Sequence, residues 1–212
     1  MKKIISLLMA LVLCASFAVM LTACDEDDAK AAFEELNEEE WEQALSAPNF
    51  ENVTIKYEYT HEDMLNKQVA KFTKEGVYRS IESLDESGKV VASIPTYFTG
   101  DDANIQRNLF LQTFLSIVEK RDNFEYDKEN DVYIAESASA RIDQAEGIYV
   151  EEDIKNGKLS FNDKGNVQEF VCTLTESVYM NGELQQSVTI DVVWTFSDYG
   201  TTVITAEEQA AK

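Results

Sequence analysis

The chain has 212 residues and a formal net charge of −22 at pH 7, because 40 acidic side chains outnumber 18 lysines and arginines. Such a surface repels nucleic-acid phosphates and anionic lipid headgroups, which argues against DNA, RNA or a broad membrane surface as partners. The length suits a single domain, and a core of that size needs no disulfides to hold it.

The N-terminal segment has the pattern of an export signal. Met1-Lys2-Lys3 is basic, residues 4–21 are apolar apart from two serines, and Ala23 precedes Cys24 and a run of four acids. A basic start, an apolar stretch and a small residue before the cut are typical of secretory signals. The stretch Leu21-Thr22-Ala23-Cys24 resembles the lipobox of bacterial lipoproteins, in which the cysteine thiol is diacylated and the chain is then cut before it.

This resemblance implies that residues 1–23 are a signal peptide and that Cys24 carries a lipid anchor. We therefore expect an extracytoplasmic protein, lipid-anchored to the cell membrane, since two acyl chains anchor a protein stably. Residues 24–36 are acidic and poor in large apolar groups, which predicts an unstructured tether. Cleavage leaves 189 of the 212 residues and removes two lysines but no acid, so the net charge becomes −24.

Two alternatives compete with this interpretation. The apolar run is about long enough to span a bilayer as an uncleaved helix. The lipobox at its end and the four acids that follow at once favour cleavage instead. Lipidation at Cys14 is disfavoured, because Leu13 is too large for the residue before the cut and the apolar run would be halved.

Two helices are predicted in the mature chain. Asn37 can cap the first, with Glu40 three residues later completing a capping box, and a proline stops it. Residues 101–120 show one broad apolar face at 100° per residue, which predicts an amphipathic helix. Asp101 or Asp102 is expected to cap its start.

Alternating apolar and polar residues predict a series of strands. They cover residues 53–59, 68–73, 76–83, 89–94, 124–126, 131–134, 148–151, 158–161, 167–179, 184–197 and 201–205, and residues 136–146 are ambiguous. Asn181-Gly182 between two such runs predicts a hairpin with a two-residue type I′ turn. An unbroken register from that turn pairs Phe170 with Val193 and puts Phe170 on the opposite face from Trp194.

The element order predicts an α+β fold in which a curved, half-barrel-like antiparallel sheet packs on one or two helices. Residues 37–206 are expected to form this single domain, with a disordered tail at 207–212. From Asn49 to Thr205 the order is similar to that of the LolA- and LppX-like lipid-carrier lipoproteins, whose curved sheet wraps around helices. The stretch from Trp41 to Ile55 also looks like the start of uncharacterised lipoproteins of Gram-positive gut bacteria.

The sequence offers no pattern for catalysis or metal binding. His61, the single histidine, is expected in a solvated loop, and no nucleophile elbow accompanies it. Cys172 has strand spacing to apolar neighbours and is expected to be buried. The acids at 151–153 are expected in a solvated loop, and no acid cluster has EF-hand spacing. We therefore name no catalytic residue, metal or cofactor and predict a protein that is not an enzyme.

Two functions from different classes remain. The first is a lipoprotein that binds a hydrophobic or amphiphilic ligand between the sheet and the 101–120 helix, and its ligand-binding residues are expected to be Phe110, Phe114, Ile117 and Val118. The alternative is a protein-interaction or structural envelope module with a filled core. The expected partners are the membrane, through the lipid on Cys24, and a hydrophobic ligand or an envelope protein, with no nucleic acid. An enzyme ranks third.

Overall fold

The structure, a computed structural model, describes residues 35–61 and 64–211, without the side chain of His61. From Glu35 onward the chain forms one compact unit. The predicted signal peptide, Cys24 and all but the last two residues of the predicted tether lie outside the described residues.

Most of the described chain forms an open sheet in which neighbouring strands are antiparallel. Its strands are β1 (Val53–His61), β2 (Met64–Phe72), β3 (Val77–Leu84), β4 (Val90–Phe98), β5 (Glu125–Asp127), β6 (Val132–Ala145), β7 (Ile148–Phe161), β8 (Val167–Met180) and β9 (Glu183–Ser197). Their order across the sheet is β4-β3-β2-β1-β9-β8-β7-β6-β5. The helices are α1 (Glu38–Ala44), α2 (Gly100–Val118) and α3 (Ala206–Gln209), and short 3-10 helices occupy Ala47–Phe50 and Arg121–Asn123. The predicted α+β fold class is confirmed.

The first helix has the predicted capping box. Asn37 Oδ1 accepts a hydrogen bond from the Glu40 amide at 3.1 Å, and the Glu40 carboxylate accepts one from the Asn37 amide at 2.9 Å. The cap of the long helix α2 was predicted wrongly. Thr99 precedes its first residue, and Asp101 and Asp102 lie in the first turn, where the helix dipole favours acids.

One row of side chains crosses the whole sheet on the face that carries the core, because directly paired residues share a face. From β4 to β5 this row is Ile94, Ile81, Gln68, Tyr57, Trp194, Phe170, Leu159, Tyr133 and Tyr126. Trp194, Phe170, Leu159 and Tyr133 are buried, whereas Ile94 is 60 % exposed. Along this row the core lies under β6 to β9, whereas β1, β2 and β3 contribute to it nearer Val53, Phe72 and Val77, and the β4 edge lies outside it.

The β8–β9 hairpin has the predicted turn but not the predicted register. Asn181 and Gly182 have φ values of 52° and 83°, as a type I′ turn requires, and Met180 pairs with Glu183. The register shifts by one residue between Val178 and Tyr179. Because one residue reverses the face of every side chain beyond it, Phe170 pairs with Trp194 and the two share the core face.

Four further differences concern where strands and helices begin and end. The predicted strands at 148–151 and 158–161 are parts of one strand, β7, and the ambiguous residues 136–145 belong to β6. Residues 201–205 form no strand; the Thr202 side chain lies 3.0 Å from the Thr54 hydroxyl instead. The predicted disordered tail contains most of α3, which Lys71 holds to the sheet through an ion pair with Glu208 at 2.7 Å.

Candidate functional site

The side of α2 that faces the sheet is filled. The Phe114 ring is fully buried, with ring centroids 4.9 Å from Phe196, 5.8 Å from Phe170 and 6.4 Å from Phe50. Ile117 and Val118 are buried in the same core. These three expected ligand-binding residues therefore line no open space.

Phe110, the fourth expected ligand-binding residue, is half-buried between the Phe72 ring and the Arg79 guanidinium. None of the four lines the groove described below. Their role in ligand binding stays a prediction.

An open groove of about 930 Å³ runs along α2, beside its packed face. The helix forms its floor, the segment from Glu42 to Phe50 forms one wall, and Arg141 to Asp143 of β6 form the opposite wall. Its apolar lining consists of Leu45, Phe50, Leu109, Leu111, Leu115 and Ile142. Its charged lining consists of Glu42, Arg107, Glu119, Arg141 and Asp143. The groove thus combines an apolar centre with charged ends and edges.

The first wall runs antiparallel to α2. The Trp41 indole donates a hydrogen bond to the Val118 carbonyl at 2.9 Å, which places α1 at the C-terminal end of α2. Glu51, at the other end of the wall, lies close enough to Arg107 to raise the pKa of the guanidinium. Glu42 and Glu119 therefore mark one end of the groove, and Arg107 marks the other.

Arg107 forms no direct ion pair in the part of the chain that the structure describes, although Glu51 lies close enough to act on its charge. Its terminal nitrogens donate to Asn104 Oδ1 at 3.0 Å and to the Thr73 carbonyl at 2.9 Å, and its guanidinium lies 5.5 Å from the Phe72 ring centre. Its Nε–H is buried and unpaired. Among the described residues it forms no ion pair with a carboxylate. Burial lowers the pKa of this guanidinium, but an arginine remains charged in proteins.

The second arginine of the groove is neutralised locally. Arg141 forms an ion pair with Asp143 at 3.0 Å, and its guanidinium lies 3.7 Å from the centre of the Tyr149 ring. Tyr149 stacks in turn on Tyr179, the residue opposite on β8, with ring centres 4.8 Å apart. The β6 wall of the groove is therefore held by stacked side chains.

A buried carboxyl group lies behind the groove. Glu152 is 1 % exposed, and its Oε2 lies 2.7 Å from Ser116 Oγ, which lines the groove and is also 2.7 Å from the Thr113 carbonyl. Burial, with Glu176 on the neighbouring strand, raises the pKa of Glu152. The hydrogen bond that the Ser116 hydroxyl donates to Glu152 acts in the opposite direction and lowers the pKa, but burial is the largest effect.

The sequence interpretation missed both Arg107 and Glu152. The acids at 151–153 lie in strand β7 rather than in a solvated loop, and only the middle one faces the core. The signal for Glu152 was its position between Val150 and Ile154 at strand spacing. The signal for Arg107 was its position as the one charged residue between Ala103 and Val118.

The remaining candidates for chemistry do not form a site. Cys172 is buried as predicted, and burial raises the pKa of its thiol to about 12. His61 is the last residue of β1 rather than a loop residue, and its side chain is not described. Within residues 35–61 and 64–211, no three His, Cys, Asp or Glu residues are grouped closely enough to hold a metal ion.

The fold and the groove together define an open antiparallel α+β domain that carries a groove over its crossing helix. No helix in the described part of the chain is both long enough and apolar enough to cross a membrane. No protein-family model matches the chain, and no curated protein matches it.

Proposed function

We propose that this protein is a lipid-anchored extracytoplasmic lipoprotein that binds a hydrophobic or amphiphilic ligand in the groove over α2 and catalyses no reaction. The groove itself is the observation that supports this proposal. Its volume of about 930 Å³ falls in the range of small-molecule pockets, roughly 300–1,000 Å³. Leucines in its centre can cover an apolar chain, and charged residues around them can contact a polar head.

The lipobox-like sequence before Cys24 supports the location. A lipid on Cys24 would hold the domain near a membrane, where amphiphilic molecules are concentrated. The acidic tether and the acidic surface favour a domain that stands away from anionic headgroups. The element order that resembles lipid-carrier lipoproteins points in the same direction.

The test is native mass spectrometry of the full chain purified from its own membrane. Leu109→Asp places a charge on the groove floor at a side chain that is 52 % exposed, so the core is not disturbed. Leu184→Asp is the matched control, because Leu184 is 55 % exposed and lies outside the groove. We expect the unmodified protein and the control to retain the same ligand mass and Leu109→Asp to lose it. Retention by all three, or by none, would contradict the proposal.

A second function, protein interaction, is favoured by the free edge of the sheet. Strand β4 is an edge strand, and its residues 90–95 are exposed. An exposed apolar edge can pair with an extended segment of another protein. In-cell cross-linking separates the two functions. If the edge strand binds a protein, Ile94→Lys should abolish the cross-linked adduct. If the groove binds a ligand, Ile94→Lys should leave ligand retention unchanged.

A further inference from the structure

Arg107 forms no ion pair with a carboxylate in the described part of this strongly acidic protein, although Glu51 lies close enough to act on its charge. Of the four arginines, Arg121 pairs with Glu35 and Arg141 pairs with Asp143, within the part of the chain that the structure describes. Arg79 also lacks an ion pair, but it donates to two glutamine side chains and does not line the groove. Arg107 is thus the groove-lining arginine whose charge no carboxylate neutralises directly.

Arg107 also has unused donors. A guanidinium carries five N–H groups. The Asn104 side chain and the Thr73 carbonyl accept one from each terminal nitrogen, and the Nε–H is buried. One N–H therefore remains on each terminal nitrogen, which suits an oxyanion group with two or more oxygens.

The groove is polarised along α2. Between Arg107 and Glu119 the helix rises about 18 Å, at 1.5 Å per residue. Leu109, Leu111 and Leu115 lie between these ends, and Glu42 shares the far end with Glu119. A ligand with an anionic head and an apolar chain fits better with its head at Arg107, because two acids mark the far end whereas the near end has the arginine as well as Glu51.

We propose that the ligand of the groove is an anionic single-chain amphiphile, a long-chain carboxylate or its phosphate-headed equivalent. Its head binds the Arg107 guanidinium, and its chain lies over the leucines toward Glu119. This proposal rests on the proposed function and adds the ligand class and its orientation. The net charge of the domain opposes an anionic ligand at long range, but salt screens that repulsion beyond about 8 Å at physiological ionic strength. The direct contact at Arg107 is screened much less.

The test is photo-cross-linking on the full lipid-anchored chain in phosphatidylcholine vesicles. One probe is a fatty acid with a diazirine in mid-chain, and the other is the primary alcohol with the same chain. The readout is the ratio of acid to alcohol labelling on the peptide that contains residues 108–119. Arg107→Gln removes the charge and shortens the side chain, and Arg79→Gln makes the same change outside the groove as the matched control. Leu109→Asp serves as the blocked-groove reference.

We expect the acid to label this peptide about tenfold more than the alcohol, the ratio that about 1.4 kcal/mol produces. Arg107→Gln should reduce the ratio to about one without lowering alcohol labelling, and Arg79→Gln should leave it unchanged. Arg107→Lys should keep most of the preference, because it keeps the charge. Unlabelled fatty acid and lysophosphatidate as competitors distinguish the two head groups, and failure of both to displace the probe would overturn the proposal.

The comparison within the unmodified protein does not depend on whether a variant folds. Equal labelling by the acid and the alcohol would overturn the anionic-head proposal while leaving an amphiphile-binding groove. No labelling above the Leu109→Asp reference with either probe would instead overturn the proposed function itself.

Discussion

Among single residues, Phe114 makes the most ring contacts in the core. It touches aromatic side chains from the 3-10 helix, β8 and β9. Truncating a buried phenylalanine leaves a cavity that neighbouring rings fill only in part. We therefore expect Phe114→Ala to lower the free energy of unfolding by about 3–5 kcal/mol, measured by denaturant unfolding.

Two positions on the same helix provide controls. Phe110→Ala should lower the free energy of unfolding less than Phe114→Ala does, because Phe110 is only half-buried. Leu109→Ala should change stability by about 0.5 kcal/mol or less, as for ordinary surface positions. A loss below about 1 kcal/mol at Phe114 would mean that the helix covers an open cavity rather than a filled core.

Glu152 predicts a pH dependence of stability. Burial raises the pKa of its carboxyl in the folded state, so folding favours the protonated form. The stability that this group contributes is fully present below the pKa of the unfolded chain and is lost as the pH rises through the raised folded value. Glu152→Gln keeps a neutral group of similar shape, so its free energy of unfolding relative to the unmodified protein should increase with pH.

The measurement is urea unfolding of both proteins from acidic to mildly alkaline pH. Glu169→Gln is a suitable control, because Glu169 is an exposed acid on β8. The difference in free energy of unfolding between Glu169→Gln and the unmodified protein should vary much less with pH. If Glu152→Gln behaves like Glu169→Gln across this range, Glu152 ionises normally in the folded protein.

At the scale of elements, two adjacent hairpin turns depend on glycine. Gly182 has φ of 83° with open space around it, and Gly147 has φ of 73° with Asn181 directly against the place of a side chain. The Asn181 amide also donates to the Gly147 carbonyl at 2.6 Å. The β6–β7 turn is therefore packed against the β8–β9 turn.

Substitutions at these glycines separate backbone strain from collision. Gly182→Val should cost about 1 kcal/mol or more, since a β-branched residue is strained at positive φ. Gly147→Ala should cost more than Gly182→Ala, because a methyl group there also collides with Asn181. Gly165→Ala, with φ of 74° and open space, reports the strain alone. If thermal melts show the same loss of melting temperature for Gly147→Ala and Gly165→Ala, the two turns are independent.

At the scale of the whole molecule, the proposed lipid anchor would decide where the domain acts. Cys24→Ser removes the thiol that would be acylated, so we expect a chain that stays uncut or is released and that carries no diacyl group. Detergent phase partitioning and the intact mass of the protein measure this directly. Cys14→Ser is the control and should be processed normally. A processed, lipid-bearing Cys24→Ser protein would contradict the lipoprotein interpretation.

The sequence by itself determined the features that depend on near neighbours along the chain. The capping box at Asn37, the type I′ turn at Asn181-Gly182 and the burial of Cys172 followed from local spacing and periodicity. So did the α+β class, because long alternating runs and one amphipathic stretch leave few ways to cover their apolar faces. Each of these is signalled by residue types and spacing within a short stretch of chain, even where distant packing completes it.

Tertiary structure decided what depends on distant segments. The register shift beside Val178, where Gln185 of β9 has no partner, has no signature in the alternating pattern, yet it brings Phe170 and Trp194 to the same face. Glu152 is buried because α2 lies over it, and α3, which Thr205 and Glu208 cap locally, is held to the sheet by the ion pair between Lys71 and Glu208. The groove is lined by residues of α2 other than the four that were predicted to bind a ligand. Those four lie on the helix face that packs in the core, and open space remains where the segment from Glu42 to Phe50 and strand β6 approach the rest of the helix.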